Sequence, residues 1–101
     1  MLAVIFKAEI NELDEEYFAT AKRMRELAEG KYGCIGFTSA TEGALEISVS
    51  YWKNEHDIEK WRKDPEHLSA QTTGREKSYK SYSVEITEIL RSTAKQAASK
   101  A

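Results

Sequence analysis

The side chains best able to do chemistry crowd between Tyr51 and Tyr82. Both tryptophans, both histidines and the only proline of the 101 residues lie there. Within that stretch His67, Gln71, Arg75 and Tyr79 recur at steps of four. On a helix each such step drifts by about 40°, so an imidazole, an amide, a guanidinium and a phenol form one slanted polar stripe. The stripe suits a ligand bearing an acidic hydroxyl. His67, near its reference pKa, is the candidate catalytic proton acceptor for a phenol. Arg75 is the candidate partner of the anionic oxygen that results. Gln71 and Tyr79 are candidates to orient the ligand. The competing reading is a solvated helix face, with Arg75 held by a structural salt bridge to the sheet.

Trp61 and Trp52 are candidate apolar walls for the same ligand, against simpler readings. For Trp61 that is core packing. For Trp52, which falls on the otherwise polar side of a strand, it is burial in a subunit interface. Tyr79 and Tyr82 can cap a pocket or pack on a helix. His56 belongs to a charged, exposed turn, and no HxH or HxxxH spacing exists, so no metal site is expected. Glycine-rich phosphate loops are absent and no nucleotide cofactor is indicated. Cys34, between Gly33 and Gly36, reads as a small buried residue and not a nucleophile.

The elements that must position these groups follow from periodicity. Leu2 to Glu9 is a short apolar run that predicts a buried strand. Asp14 is the expected N-cap, followed by Glu15 and Glu16 at the favourable end of the helix dipole. Tyr17, Phe18, Ala21, Met24, Leu27 and Ala28 make an apolar helical face, with Gly30 as the expected C-cap. Cys34 to Ala40 predicts a second strand, and Thr41 to Ala44 a hairpin turn. Leu45 to Trp52 alternates, with Leu45, Ile47, Val49 and Tyr51 on one side and Glu46, Ser48, Ser50 and Trp52 on the other. Asn54 can cap a short helix that buries Ile58 and Trp61, and Asp64-Pro65 ends it. Pro65 suits the first turn of a further helix, expected from Glu66 to Tyr79. Ser83 to Leu90 is the last strand.

This order, β-α-β-β-(short α, α)-β, predicts an α+β ferredoxin-like fold. It has a four-stranded antiparallel sheet with helices on one face. The other face needs cover, and a homodimer supplies it. One domain over 1–91 and a flexible tail over 92–101 are expected. The composition is that of a soluble globular chain, with 41% hydrophobic and 32% charged residues. A net charge of −2, with bases interleaved among acids, argues against a nucleic-acid partner. No stretch has the roughly 18 apolar residues of a membrane span, and no signal segment is evident. With a single cysteine, the expected location is the cytoplasm.

Taken together, Ser50-Tyr51-Trp52, Trp61, Pro65-Glu66-His67, Ala70-Gln71, Gly74-Arg75-Glu76, Tyr79 and Tyr82 resemble the antibiotic biosynthesis monooxygenase family of the dimeric α+β barrel superfamily. The resemblance covers Met1 to Arg91. It implies a dimer whose sheets face each other and a pocket between sheet and helices in each subunit. It also implies cofactor-independent oxygenation of a small aromatic, phenol- or quinol-like substrate. The alternative is a non-catalytic dimer of the same fold that binds a small hydrophobic molecule or serves in stress response. The haem-degrading branch of the family pairs an Asn on the first strand with a Trp and an iron-ligating His ten residues later. Here Trp61 matches, but the later position is Gln71 and Asn11 lies past the strand, so haem degradation is not expected.

Overall fold

The computed structural model describes residues 1–11 and 14–95. The chain runs β1 (Leu2–Ile10), α1 (Glu15–Gly30), β2 (Gly36–Glu42), β3 (Leu45–Trp52), α2 (Glu55–Arg62), α3 (Pro65–Thr73), a π-helical turn (Gly74–Ser78) and β4 (Tyr79–Glu88). The sheet order is β2-β3-β1-β4, with every neighbouring pair antiparallel. This is the α+β ferredoxin-like arrangement that the pattern predicts. Of the expected tail, the part from 96 onward lies outside the described residues. No helix among the described residues is long and apolar enough to cross a membrane.

Three short polar side chains start the helices. Asp14 Oδ1 accepts from Tyr17 N at 2.8 Å, Asn54 Oδ1 from Asp57 N at 2.9 Å and Asp64 Oδ1 from Glu66 N at 2.8 Å. Each satisfies a donor that helix geometry leaves unpaired. Pro65 follows Asp64 in the first turn of α3, where its missing N–H costs nothing. The hairpin between β2 and β3 turns on Gly43, whose φ of +59° favours glycine. β2 therefore continues to Glu42, two residues past the expected end.

Three expectations about the elements are corrected. Gly30 is not a C-cap: α1 runs through it, Lys31 caps the helix, and the positive φ falls on Gly33. The last helix does not reach Tyr79. It ends at Thr73, widens into the π turn, and hands Tyr79 to β4. Trp52 is not an interface residue, because it is 0% exposed within its own subunit.

The placement of Trp52 settles which side of β3 faces the helices. Val4, Leu27, Ala28, Cys34, Trp52, Ile58 and Trp61 form one core, so Glu46, Ser48 and Ser50, which share Trp52's side of the strand, also face inward. A second, smaller core joins Ala8, Ile10 and Tyr17, with Phe6 and Tyr79 packed on it. Leu45, Ile47, Val49 and Tyr51 face the side of the sheet that carries no helix. In register with them on β1 stand Ala3 and Ile5, opposite Tyr51 and Val49. The uncovered face is thus the apolar side of β3, and the covered face is its polar side.

Candidate functional site

Two cores with polar strand residues between them cannot close completely. A cavity of about 540 Å³ lies there, between the sheet and α1, α3 and the π turn. This is within the usual range for small-molecule sites. Glu46, Ser48 and Ser50 of β3 line the sheet side, with Val4 and Phe6 of β1 and Phe37 of β2. Tyr17, Ala21 and Met24 of α1 and His67, Ala70 and Gln71 of α3 line the other. Phe18, Tyr82 and Val84 line it as well while remaining 54%, 46% and 41% exposed, which marks the open side near β4. Phe18 therefore belongs to the cavity mouth and not to the buried face expected for α1.

The helices over the cavity are fastened to one another. Arg23 of α1 grips Glu66 of α3 through a two-pronged pair, Nε to Oε2 at 2.8 Å and Nη2 to Oε1 at 2.9 Å. Both partners are half-exposed, so the pair fixes direction more than it adds stability. Asp64, only 6% exposed, does more. It caps α3 and accepts the Tyr32 hydroxyl at 2.6 Å, a bond that holds its carboxyl below the usual range. Trp61 Nε1 donates to Met24 O at 3.1 Å, tying α2 to α1.

His67 is set by this frame. Its ring stands edge-on to Trp61, with centroids 4.4 Å apart at 76°. Trp61 in turn leans on Trp52 at 5.2 Å. Gln71 Nε2 lies 2.8 Å from His67 Nδ1 and 3.4 Å from Arg62 O. An amide nitrogen only donates, so Nδ1 accepts and the ring proton sits on Nε2. Burial, reinforced by the positive charge of Arg62, lowers the His67 pKa to about 4. The imidazole is therefore neutral at physiological pH, with its Nε2–H left to donate.

The structure brings five of the six sequence-selected residues to one cavity: Trp61, His67, Gln71, Arg75 and Tyr79. The π turn keeps Arg75 on the cavity wall although the helix has ended. Arg75 is exposed and makes no ion pair among the described residues, so the salt bridge to the sheet is not found. Trp52 is the exception. It stands behind Trp61, donates to Ser50 Oγ at 2.9 Å, and does not reach the cavity. Tyr79 fits because Gly74 faces its ring, where a side-chain carbon would overlap. Burial, and then the nearby Glu46, push the Tyr79 phenol up to about 12. Cys34 is buried, its thiol is raised by that burial, and Sγ contacts Gly36 O at 3.1 Å. Among the described residues no three His, Cys, Asp or Glu side chains converge as metal ligands.

Sequence reasoning missed Glu46. It is 8% exposed, its Oε2 has no hydrogen-bond partner among the described residues, and burial raises its pKa. The signal was its place on β3, six residues before Trp52 and on the same side. Once the tryptophan is recognised as core, the glutamate must point inward too.

No protein-family model matches the chain. Solved structures with the same architecture include SnoaB, a cofactor-independent oxygenase from Streptomyces nogalater. One of its variants superposes with a TM-score of 0.78 over 93% of this chain and 97% of that one, at 11% identity. A protein from Nitrosomonas europaea, proposed to be an antibiotic biosynthesis monooxygenase, superposes with a TM-score of 0.74 over 90% of this chain and 100% of that one, at 14% identity. The fold is therefore that of the antibiotic biosynthesis monooxygenase-like proteins, as the residue pattern implied. In sequence, the chain is 39% identical over 88 residues to the uncharacterized protein YqjZ of Bacillus subtilis, covering 86% of this chain and 77% of the relative. The chain belongs to the YqjZ family.

Proposed function

We propose that the chain is a cofactor-independent monooxygenase acting on a small phenol- or quinol-like aromatic in the cavity between sheet and helices. The observation that carries this reading is the neutral His67, edge-on to Trp61 and locked by Gln71, on the wall of a cavity large enough for an aromatic ligand. Trp61, Phe6 and Phe37 offer apolar faces to a flat ring. The substrate hydroxyl meets His67 Nε2–H, and the guanidinium of Arg75 at the wall favours its anion. A pKa of about 4 makes His67 a poor base. Its bond from Gln71 supports a donor's role, with the phenol proton leaving through the open side to solvent. The phenolate is the electron donor to O₂. One oxygen atom enters the ring as a quinone carbonyl, the other leaves as water, and the phenol supplies every electron and both hydrogens of that water.

The test is oxygen uptake with a panel of phenols and quinols, with isotopically heavy O₂ to trace the product oxygen. Support is one O₂ consumed per quinone formed, with label in the product. A panel that binds without oxygen uptake favours the second reading, a non-catalytic small-molecule binder. The low basicity of His67 is the observation that favours this second reading.

We also propose that a second copy covers the outer sheet face and that the protein works as a cytoplasmic homodimer. Support comes from Ile5, Ile47, Val49 and Tyr51, which share that face without a helix over it. Light scattering at micromolar concentration should give twice the chain mass, and Val49→Lys should lower it to one chain. A monomeric parent protein removes this part of the proposal.

A further inference from the structure

The cavity has a second polar pole. Glu46 sits on β3, a central strand of the sheet, opposite Ala8 of β1 and Thr41 of β2. From a central strand its side chain cannot swing past an edge into water. It is 8% exposed, lines the cavity, and leaves Oε2 without a partner among the described residues. An unpaired buried carboxyl lowers stability, whereas a leucine would fill the same place without that cost. A residue that breaks the local rule on a cavity wall points to ligand recognition.

The two poles are well separated. Ser50, bonded to Trp52 at the His67 end, lies four residues along β3 from Glu46, or about 13 Å at the usual strand rise. We propose that Glu46 is a specificity-determining residue whose carboxyl hydrogen-bonds a donor group, a hydroxyl or N–H, on the end of the ligand remote from His67. This rests on the reading of the cavity as an aromatic-ligand site and narrows the ligand to an elongated aromatic with a polar group at each end. The last torsion of a glutamate is soft and nearly two-fold, so either oxygen can turn to the ligand. Burial raises the Glu46 pKa, which favours the neutral acid, able both to donate and to accept. Phe6 and Tyr79, tilted against each other with centroids 5.4 Å apart, supply an apolar surround that strengthens such a bond.

The experiment compares two rod-shaped probes, para-phenylphenol, with one hydroxyl, and para,para′-biphenol, with one at each end. Binding is read by quenching of the tryptophan fluorescence, to which Trp61 on the cavity wall contributes. The parent protein should bind the diol about tenfold or more tightly than the mono-ol. Glu46→Leu should bind both with the mono-ol's affinity, and Glu46→Gln, which keeps hydrogen-bonding capacity, should retain the preference. Equal affinities in the parent protein, a preference surviving in the leucine variant, or one lost in the glutamine variant overturns the inference. If the leucine variant does not fold, the parent and glutamine proteins decide. Binding of both probes without discrimination overturns only the role of Glu46. Failure of both to bind overturns the aromatic-site reading together with it.

Discussion

Gln71 holds His67 by its Nδ1 at 2.8 Å, so the imidazole offers a proton to the cavity and does not ask for one. The local sequence makes the link, since positions 67 and 71 are one helical turn apart and α3 is regular there. NMR titration should place the His67 pKa near 4, with the Nε2–H tautomer dominant at neutral pH. Gln71→Leu should shift the tautomer populations. An ordinary value near 6.5 would show that the site is more open to water than its geometry implies.

The same group makes stability depend on pH. Its folded pKa of about 4 lies below the unfolded value of 6.5, so between these limits the unfolded chain binds the extra proton. Stability is therefore full above pH 6.5 and falls as pH drops towards 4, by at most about 3 kcal/mol. Denaturant titrations should show His67→Phe flattening that window. An equal slope in both proteins assigns the effect elsewhere.

Glu46 works in the opposite direction. Its folded pKa is raised, so the added cost of ionising it is absent at low pH and grows as pH climbs through the folded value. Glu46→Leu should stabilise the protein at neutral pH by about 1–3 kcal/mol, the cost of an unpaired buried polar group. A loss of stability instead would mean that the carboxyl has a partner in solution.

Gly74→Ala tests the wall at Tyr79. The added carbon would overlap the Tyr79 ring, which packs on Phe6 and Tyr17. Overpacking of this kind costs about 1–3 kcal/mol, and the displaced phenol should weaken binding of para-phenylphenol. Unchanged stability and binding would show that the ring has room to move.

Asp64→Ala should cost more than Asn54→Ala, whose lost cap is worth about 1 kcal/mol. Asp64 both caps α3 and accepts the Tyr32 hydroxyl, whereas Asn54 only caps. Since the Asp64 pKa is lowered, the excess should vanish as pH falls through its folded value. Equal costs would reduce Asp64 to a simple cap.

Much of this fold is legible in the sequence because local signals agree with it. The caps at Asp14 and Asn54, the glycine turn at Gly43 and the Pro65 start all act over a few residues. The site is legible in part. His67, Gln71 and Arg75 declare themselves by type and spacing, yet the π turn that re-aims Arg75 has no pattern of its own. Alternation on β3 shows two faces without saying which one the helices cover. That depends on Trp52 meeting Trp61 across the chain, a tertiary contact. Glu46 was hidden for the same reason.

The most direct measurement is oxygen consumption by the parent protein and by His67→Ala, each supplied with an electron-rich phenol that both bind. The parent should take up one O₂ per quinone formed, and kcat of the variant should fall about a hundredfold, the scale of losing one oxyanion donor. Turnover unchanged on loss of the imidazole would contradict the proposed role of His67.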